Sequence, residues 1–404
     1  MKNQIAYILL LFSFSSWSQT DYRFDNFTIN NGLSQSSVTC VIQDELNSLW
    51  IGTQDGINRY DGKTFEIFNS NKTKGITSEY VNCALKDNNG NLWFGTKGGL
   101  TTYQLKTESF TTYSLPGKKA FKVESAVIDD YGVFWLASTD KGVFSFDTVT
   151  KKFISYKENI PGRKTTSLHL LENQELIVGS EDQGLYSYDI KKKEARKIQL
   201  VGRAVGKRIN KIIRGAGTRV IMATSGGVFT VNYNTGKTTE TFPELKNKKL
   251  NVTDIQLLNH KDWLIATGND GLYTVTEKRK VKHSVSDIFQ KDALLFDELN
   301  SLFVDNSGTV WLGSHRGLSA YDPAYSGILG IGVSGNPKRG LPTASVWSFA
   351  EDKSRRYLFI GSDRAISQLD RKTGIFEQYY RQETNETNSG EKTVLSIRVV
   401  SIIN

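Results

Sequence analysis

The chain has 404 residues, with 51 lysines and arginines against 42 aspartates and glutamates, giving a formal charge of +9. It is too long for one ordinary compact core, and 35 glycines with only 6 prolines make it turn-rich rather than disordered. That length suits an array that grows by adding units, and an aromatic share of 11% is enough to fill the spaces between them.

Residues 1–18 read as an export signal: Lys2 supplies the positive start, Ile5 to Phe14 an apolar stretch, and Ser16-Trp17-Ser18 the small residues around a cleavage site before Gln19. The apolar stretch is far shorter than the roughly 20 residues that span a bilayer. An exported, periplasmic protein is therefore expected, and with it no nucleic-acid partner.

Tyr22 to Ile29 resembles an outermost strand without a hairpin of its own. After it, one phrase recurs seven times, as in LWIGTQDGINRY ending at Tyr60, LWFGTKGGLTTY ending at Tyr103 and VWLGSHRGLSAY ending at Tyr321. Its glycines are Gly56, Gly99, Gly142, Gly184, Gly227, Gly271 and Gly317, spaced by 43, 43, 42, 43, 44 and 46 residues. Such a period, with short strand signals and turns at fixed offsets, is the mark of a β-propeller.

Each unit reads as four strands. An apolar inner strand such as Val38 to Ile42 leads through a turn such as Asp87-Asn88-Asn89-Gly90 to a run holding Trp50, Trp93, Trp135 or Trp311. Two residues after the Trp position stands Gly or Ala (Gly52, Gly95, Ala137, Gly179, Ala223, Ala266, Gly313), which predicts close approach of the neighbouring blade. The repeated glycine then predicts a positive φ where a β-carbon would clash. The leading strand at Tyr22 is expected to complete the seventh blade and close the ring.

The two cysteines, Cys40 and Cys83, fall on equivalent inner strands. Sheets packed about 10 Å apart cannot bridge, which predicts two buried free thiols. The basic run Lys191, Lys192, Lys193, Arg196, Lys197, Arg203, Lys207, Arg208, Lys211 and Arg214 reads as a solvated face, with attraction to an acidic glycan or anionic headgroups as the alternative.

An eighth unit runs from Val346 to Leu369 with Ala365 in place of the glycine, and a ninth starts at Val394. The expected fold is all-β: a seven-bladed propeller over 22–335, then the start of a second, incomplete propeller over 336–404. Because the ninth unit stops within its inner strand, the chain is expected to be the truncated or frame-shifted front of a longer protein.

The stretch GLSQSSVTCVIQDELNSLWIGTQDGINRYDGKTFEIF, Gly32 to Phe68, resembles the regulator-propeller repeat of bacterial hybrid two-component sensors. The resemblance covers about 22 to 376 and weakens in the fifth and sixth units, where Ile221 and Leu264 replace Trp, and Val231 and Val275 replace the closing aromatic. It implies an exported sensor region ahead of an immunoglobulin-like domain, a membrane helix and a histidine kinase, with released oligosaccharides as ligands and a homodimer in the full-length protein. No kinase motif matches within the chain, so no catalytic residue is carried over.

His169, His260, His283 and His315 lack metal-ligand spacing, and the Asp-x-x-Gly turns lack the full calcium pattern and any sialidase partner residues, so no metal, cofactor or enzymatic activity is expected. Binding is expected where turns between second and third strands converge with the links between blades. Those turns carry Gln54, Asp55, Lys97, Asp140, Lys141, Glu181, Asp182, Asn269, Asp270, His315 and Arg316. Mixed amides, carboxylates and cations suit a hydroxyl-rich ligand. The insert Glu277 to Glu298 is either a lid, a partner surface or an inert loop. An exported lyase or glycosidase and a secreted interaction scaffold are the alternatives to a sensor.

Overall fold

The structure, a computed structural model, describes residues 22–379 apart from 117–120, 163, 173, 288–289, 291, 326–330, 332, 335–336, 339, 364 and 372. The export segment and the ninth unit lie outside the described residues. The chain forms two compact units that part at Ser326 and Gly327.

The first unit holds seven four-stranded antiparallel sheets. Their inner strands are Val38–Gln43, Val81–Lys86, Ser125–Ile128, Thr165–Leu170, Ile209–Arg214, Val252–Leu258 and Leu299–Val304. Each lies beside the next, and the last lies beside the first, which closes a ring of seven blades. A separate apolar cluster fills every junction. Between the first two blades it joins Trp50 and Ile57 to Val81, Phe94 and Tyr103.

Asp25–Phe27 pairs with Leu318–Tyr321 as the outer strand of the seventh blade, Phe27 opposite Leu318. The Phe27 ring also lies against Tyr60, Phe65 and Trp311, so the closing strand touches both blades at the seam. The long insert holds this strand in place. Asn26 Nδ2 donates to Ala293 O at 2.9 Å, Phe24 N donates to Asp292 O at 2.9 Å, and Ala293 and Leu294 are buried.

Inner strands are stitched directly to one another. Thr39, Thr253 and Asn300 donate to the carbonyls of Val81, Leu299 and Val38 at 2.8, 2.8 and 3.0 Å, each reaching the next blade. A bulge just inside the strand, at Val38/Cys40 in the first blade, accompanies this reach. The small residue of the second strand is explained by the same closeness: a β-carbon on Gly52 would stand 2.6 Å from Cys40 Sγ and 2.7 Å from Val81 of the next blade.

All seven repeated glycines have positive φ, from 67° at Gly271 to 145° at Gly317. The predicted clash is local, however. At Gly56, Gly99, Gly271 and Gly317 a β-carbon would strike the outer-strand carbonyl of Phe68, Tyr113, Ser284 or Phe27, whereas Gly184 and Gly227 face open space.

The thiols are free, as expected, but only Cys40 is fully buried and Cys83 is half-buried. The 10 Å argument does not apply at the inner strands, which come close enough to hydrogen-bond across the junction between the first and second blades.

Among the described residues of the second unit there is one sheet, Val346–Glu351, Tyr357–Ser362, Ile366–Asp370 and Ile375–Gln378, over a small core of Leu341, Ile360, Leu369 and Phe376. Ala365 occupies the glycine position without a positive φ. No helix among the described residues is long and apolar enough to cross a membrane.

Candidate ligand-binding rim

Backbone bonds place the turns between second and third strands beside the links that enter each inner strand: Lys97 N to Tyr80 O, Glu181 N to Lys164 O, Ser225 N to Arg208 O and Gly268 N to Asn251 O, all within 2.8–3.0 Å. This builds one polar rim. The side chains expected to face a ligand are for the most part engaged with those links.

At the seam between the seventh and first blades, Ser37 Oγ lies 3.0 Å from His315 Nδ1 and accepts from Gln54 Nε2 at 3.0 Å. Two predicted residues from different blades thus meet on a third. The neighbouring Arg316 guanidinium sits 4.4 Å over the Phe296 ring of the insert, and Lys97 Nζ lies 3.7 Å over Tyr80. Asp55 and Asp182 are exposed.

Asp140 accepts from Ser138 Oγ at 2.5 Å with the Lys141 ammonium 3.9 Å away. Glu181 stands between Lys164 at 3.6 Å and Arg208 of the next blade at 3.4 Å. Asn269 ties the preceding link, accepting from Asn251 N and donating to Lys249 O.

Asp270 is the most connected. Its carboxylate accepts from the Tyr273 hydroxyl and lies 3.4 Å from His283 Nε2 and 3.8 Å from Lys248 Nζ. Burial first, then Asp270, push the Tyr273 hydroxyl far above its ordinary range. Tyr273 and His283 stack at 4.1 Å.

Ser37, Tyr80, Lys164 and Lys248 were not predicted, Arg208 was singled out only within the basic run, and Phe296 only as part of the insert. They belong to links of varying length, and only the repeated turns carry a fixed phase.

The basic run is largely neutralised, as its solvated reading expects. Six of its ten cations have a carboxylate partner: Lys192 with Asp189, Arg196 with Glu175, Arg203 with Glu240, Arg208 with Glu181, Lys211 with Asp254 and Arg214 with Glu172. Exposed pairs of this kind contribute little individually. Lys211 differs, because it lies on an inner strand; Asp254 on the next blade, 3.4 Å away, raises its pKa.

The opposite-end turns are self-satisfied. Asp44, Asp87, Asp129 and Asp305 each accept two backbone N–H groups of their own turn and the indole of the Trp six residues on. These aspartates hold turns. Among the described residues no group of three or more His, Cys, Asp or Glu side chains is placed to hold a metal.

The profile of the two component regulator propeller family matches residues 32–55 and 75–98, which cover the turns and tryptophans just described in the first two blades. The chain carries two component regulator propeller repeats. A 75-residue stretch is 43% identical to histidine kinase P4 of Formosa agariphila, covering 18% of this chain and 6% of that protein.

The chain also resembles the extracellular domain of a B. thetaiotaomicron protein assigned as a hybrid two component system. That likeness has a TM-score of 0.69 and 21% identity over 89% of this chain and 49% of the other, so the chain spans about half the length of that structure. Virginiamycin B lyase from Staphylococcus aureus shares the fold at a TM-score of 0.57 and 13% identity, over 74% of this chain and 98% of the lyase.

Proposed function

We propose that this chain is the ligand-sensing front of an exported two-component sensor. Its rim takes an oligosaccharide or a similar hydroxyl-rich ligand and signals to a histidine kinase elsewhere in the protein, which works as a homodimer. The observation that carries this reading is the presence of regulator-propeller repeats in a chain that, over 89% of its length, resembles the extracellular domain of a protein assigned as a hybrid two component system.

The rim supports it chemically. Gln54 and His315 reach one hydroxyl from two blades, and Glu181 spans a second junction to Arg208, so a ligand that replaces these bonds acts on blade packing directly. It shifts the equilibrium only if it binds one arrangement better than the other. Calorimetry of the full chain against a panel of neutral and charged oligosaccharides tests the reading; heat release by one class is the expected result, and none across the panel overturns it.

An exported enzyme is the second reading, favoured by the fold shared with a lyase. Product formation from any panel member by the purified chain would replace the sensor reading with this one.

A further inference from the structure

Beside the rim, between the fifth and sixth blades, lies a shallow cleft that opens to solvent. Its origin is a local departure from the repeat. In the fifth blade the outer strand is only Thr238–Glu240, after which the chain turns into the short 3-10 segment Pro243–Leu245. Gly227 faces open space, as Gly184 does, where Gly56 and Gly99 face carbonyls. The stem of Lys207 lies against Gly226.

The walls combine two chemistries. Phe229, Phe242 and Leu245 give an apolar side; Arg203 is paired with Glu240, which leaves the ammonium groups of Lys246 and Lys248 as the cations of the cleft. Lys248 also faces Asp270 on the rim, at 3.8 Å, which joins the cleft to the site described above.

We infer that this cleft binds one ring-sized sugar unit bearing a carboxylate or a sulfate. The C–H face of the ring lies on the apolar wall and the anion meets Lys246 and Lys248. Cations beside apolar side chains favour an anion over a neutral polyol, which carries no charge to meet them. The inference rests on the saccharide-sensing reading and names the charge class of its ligand.

The test is calorimetry on the full chain with three matched trisaccharides that differ only at C6: uronate, 6-sulfate and hydroxyl. The uronate, the sulfate or both should bind at least about tenfold tighter than the neutral compound, and which one binds separates the two sources of charge. The pair Lys246→Glu/Lys248→Glu should lose that binding, whereas Lys191→Glu/Lys192→Glu, on an exposed turn of the fourth blade, should keep it with the same melting temperature. Equal affinity for the neutral compound, or equal loss in both variants, overturns the cleft. If none of the three binds but another oligosaccharide of the wider panel does, the cleft falls and the sensing reading stands. If nothing in either set binds, both fall.

Discussion

The indole Nε1 of Trp50 donates to Asp44 Oδ2 at 2.8 Å, deep in the first blade. The same pair recurs as Asp87 with Trp93, Asp129 with Trp135 and Asp305 with Trp311. Where the tryptophan is absent the aspartate is absent too: Leu171 precedes Ile177, Gly215 precedes Ile221 and Leu258 precedes Leu264, each by six residues. The two residues therefore form one unit, in which the carboxylate satisfies both the turn and the buried indole.

Removing half of that unit strands the other half. Asp44→Leu should destabilise by about 1.5–3 kcal/mol, the range for a hydrogen bond to a charged group. Trp50→Ala should cost about 3–5 kcal/mol through the cavity it leaves. The pair Asp44→Leu/Trp50→Ile copies the fourth blade and should cost clearly less than Asp44→Leu and Trp50→Ile added together. Denaturant midpoints of the four variants check this; strict additivity would mean that the two residues are independent.

The glycines separate two causes that the repeat alone merges. Gly184→Asn should be mild, because its φ of 81° is reachable by Asn and its β-carbon meets nothing within 4 Å. Gly317→Asn, at φ 145° with the Phe27 carbonyl in the way, should lower the melting temperature far more. Equal shifts would show that backbone conformation alone selects glycine at this position.

How far the fold was legible follows from the same contrast. The ring, the four-strand units, the closing strand and the turn-holding role of the aspartates were all legible, because each blade meets the same packing problem and solves it with the same residues. The link residues were not. Ser37, Phe296 and Lys248 sit in segments whose lengths differ from blade to blade, so no period marks them. The cleft escaped notice because its wall is built by the 3-10 segment Pro243–Leu245, which lies in a link and has no counterpart in the repeated phrase.

Closure depends on three residues of outer strand. Deleting 22–28 should expose the edge of Leu318–Tyr321 and remove Phe27 from Tyr60, Phe65 and Trp311. An uncovered strand edge recruits other chains. Size-exclusion chromatography should show higher oligomers together with a lowered melting temperature. A monomer of unchanged stability would mean that the insert around Ala293 and Leu294 seals the ring by itself.

The thiols give a pH dependence with a definite sign. Burial pushes the Cys40 thiol up to about 12 from an ordinary value of 9.0, and burial likewise raises Cys83. Below about pH 9 both folded and unfolded chains keep these protons, and the stabilising contribution is fully present. As pH rises past 9 the unfolded chain releases them first, so stability falls until the folded thiols also ionise. The ammonium of Lys211 is raised too, but its contribution declines only above its ordinary value of 10.5. Between pH 8 and 9.5 the thiols therefore dominate the slope over Lys211. Denaturant midpoints should fall across that interval in the parent and stay flatter in Cys40→Ala/Cys83→Ala, while iodoacetamide at pH 8.5 should modify Cys40 only after unfolding. Rapid alkylation of native Cys40, or equal slopes in the two proteins, would place that thiol in contact with water and remove the basis for the expected pH dependence.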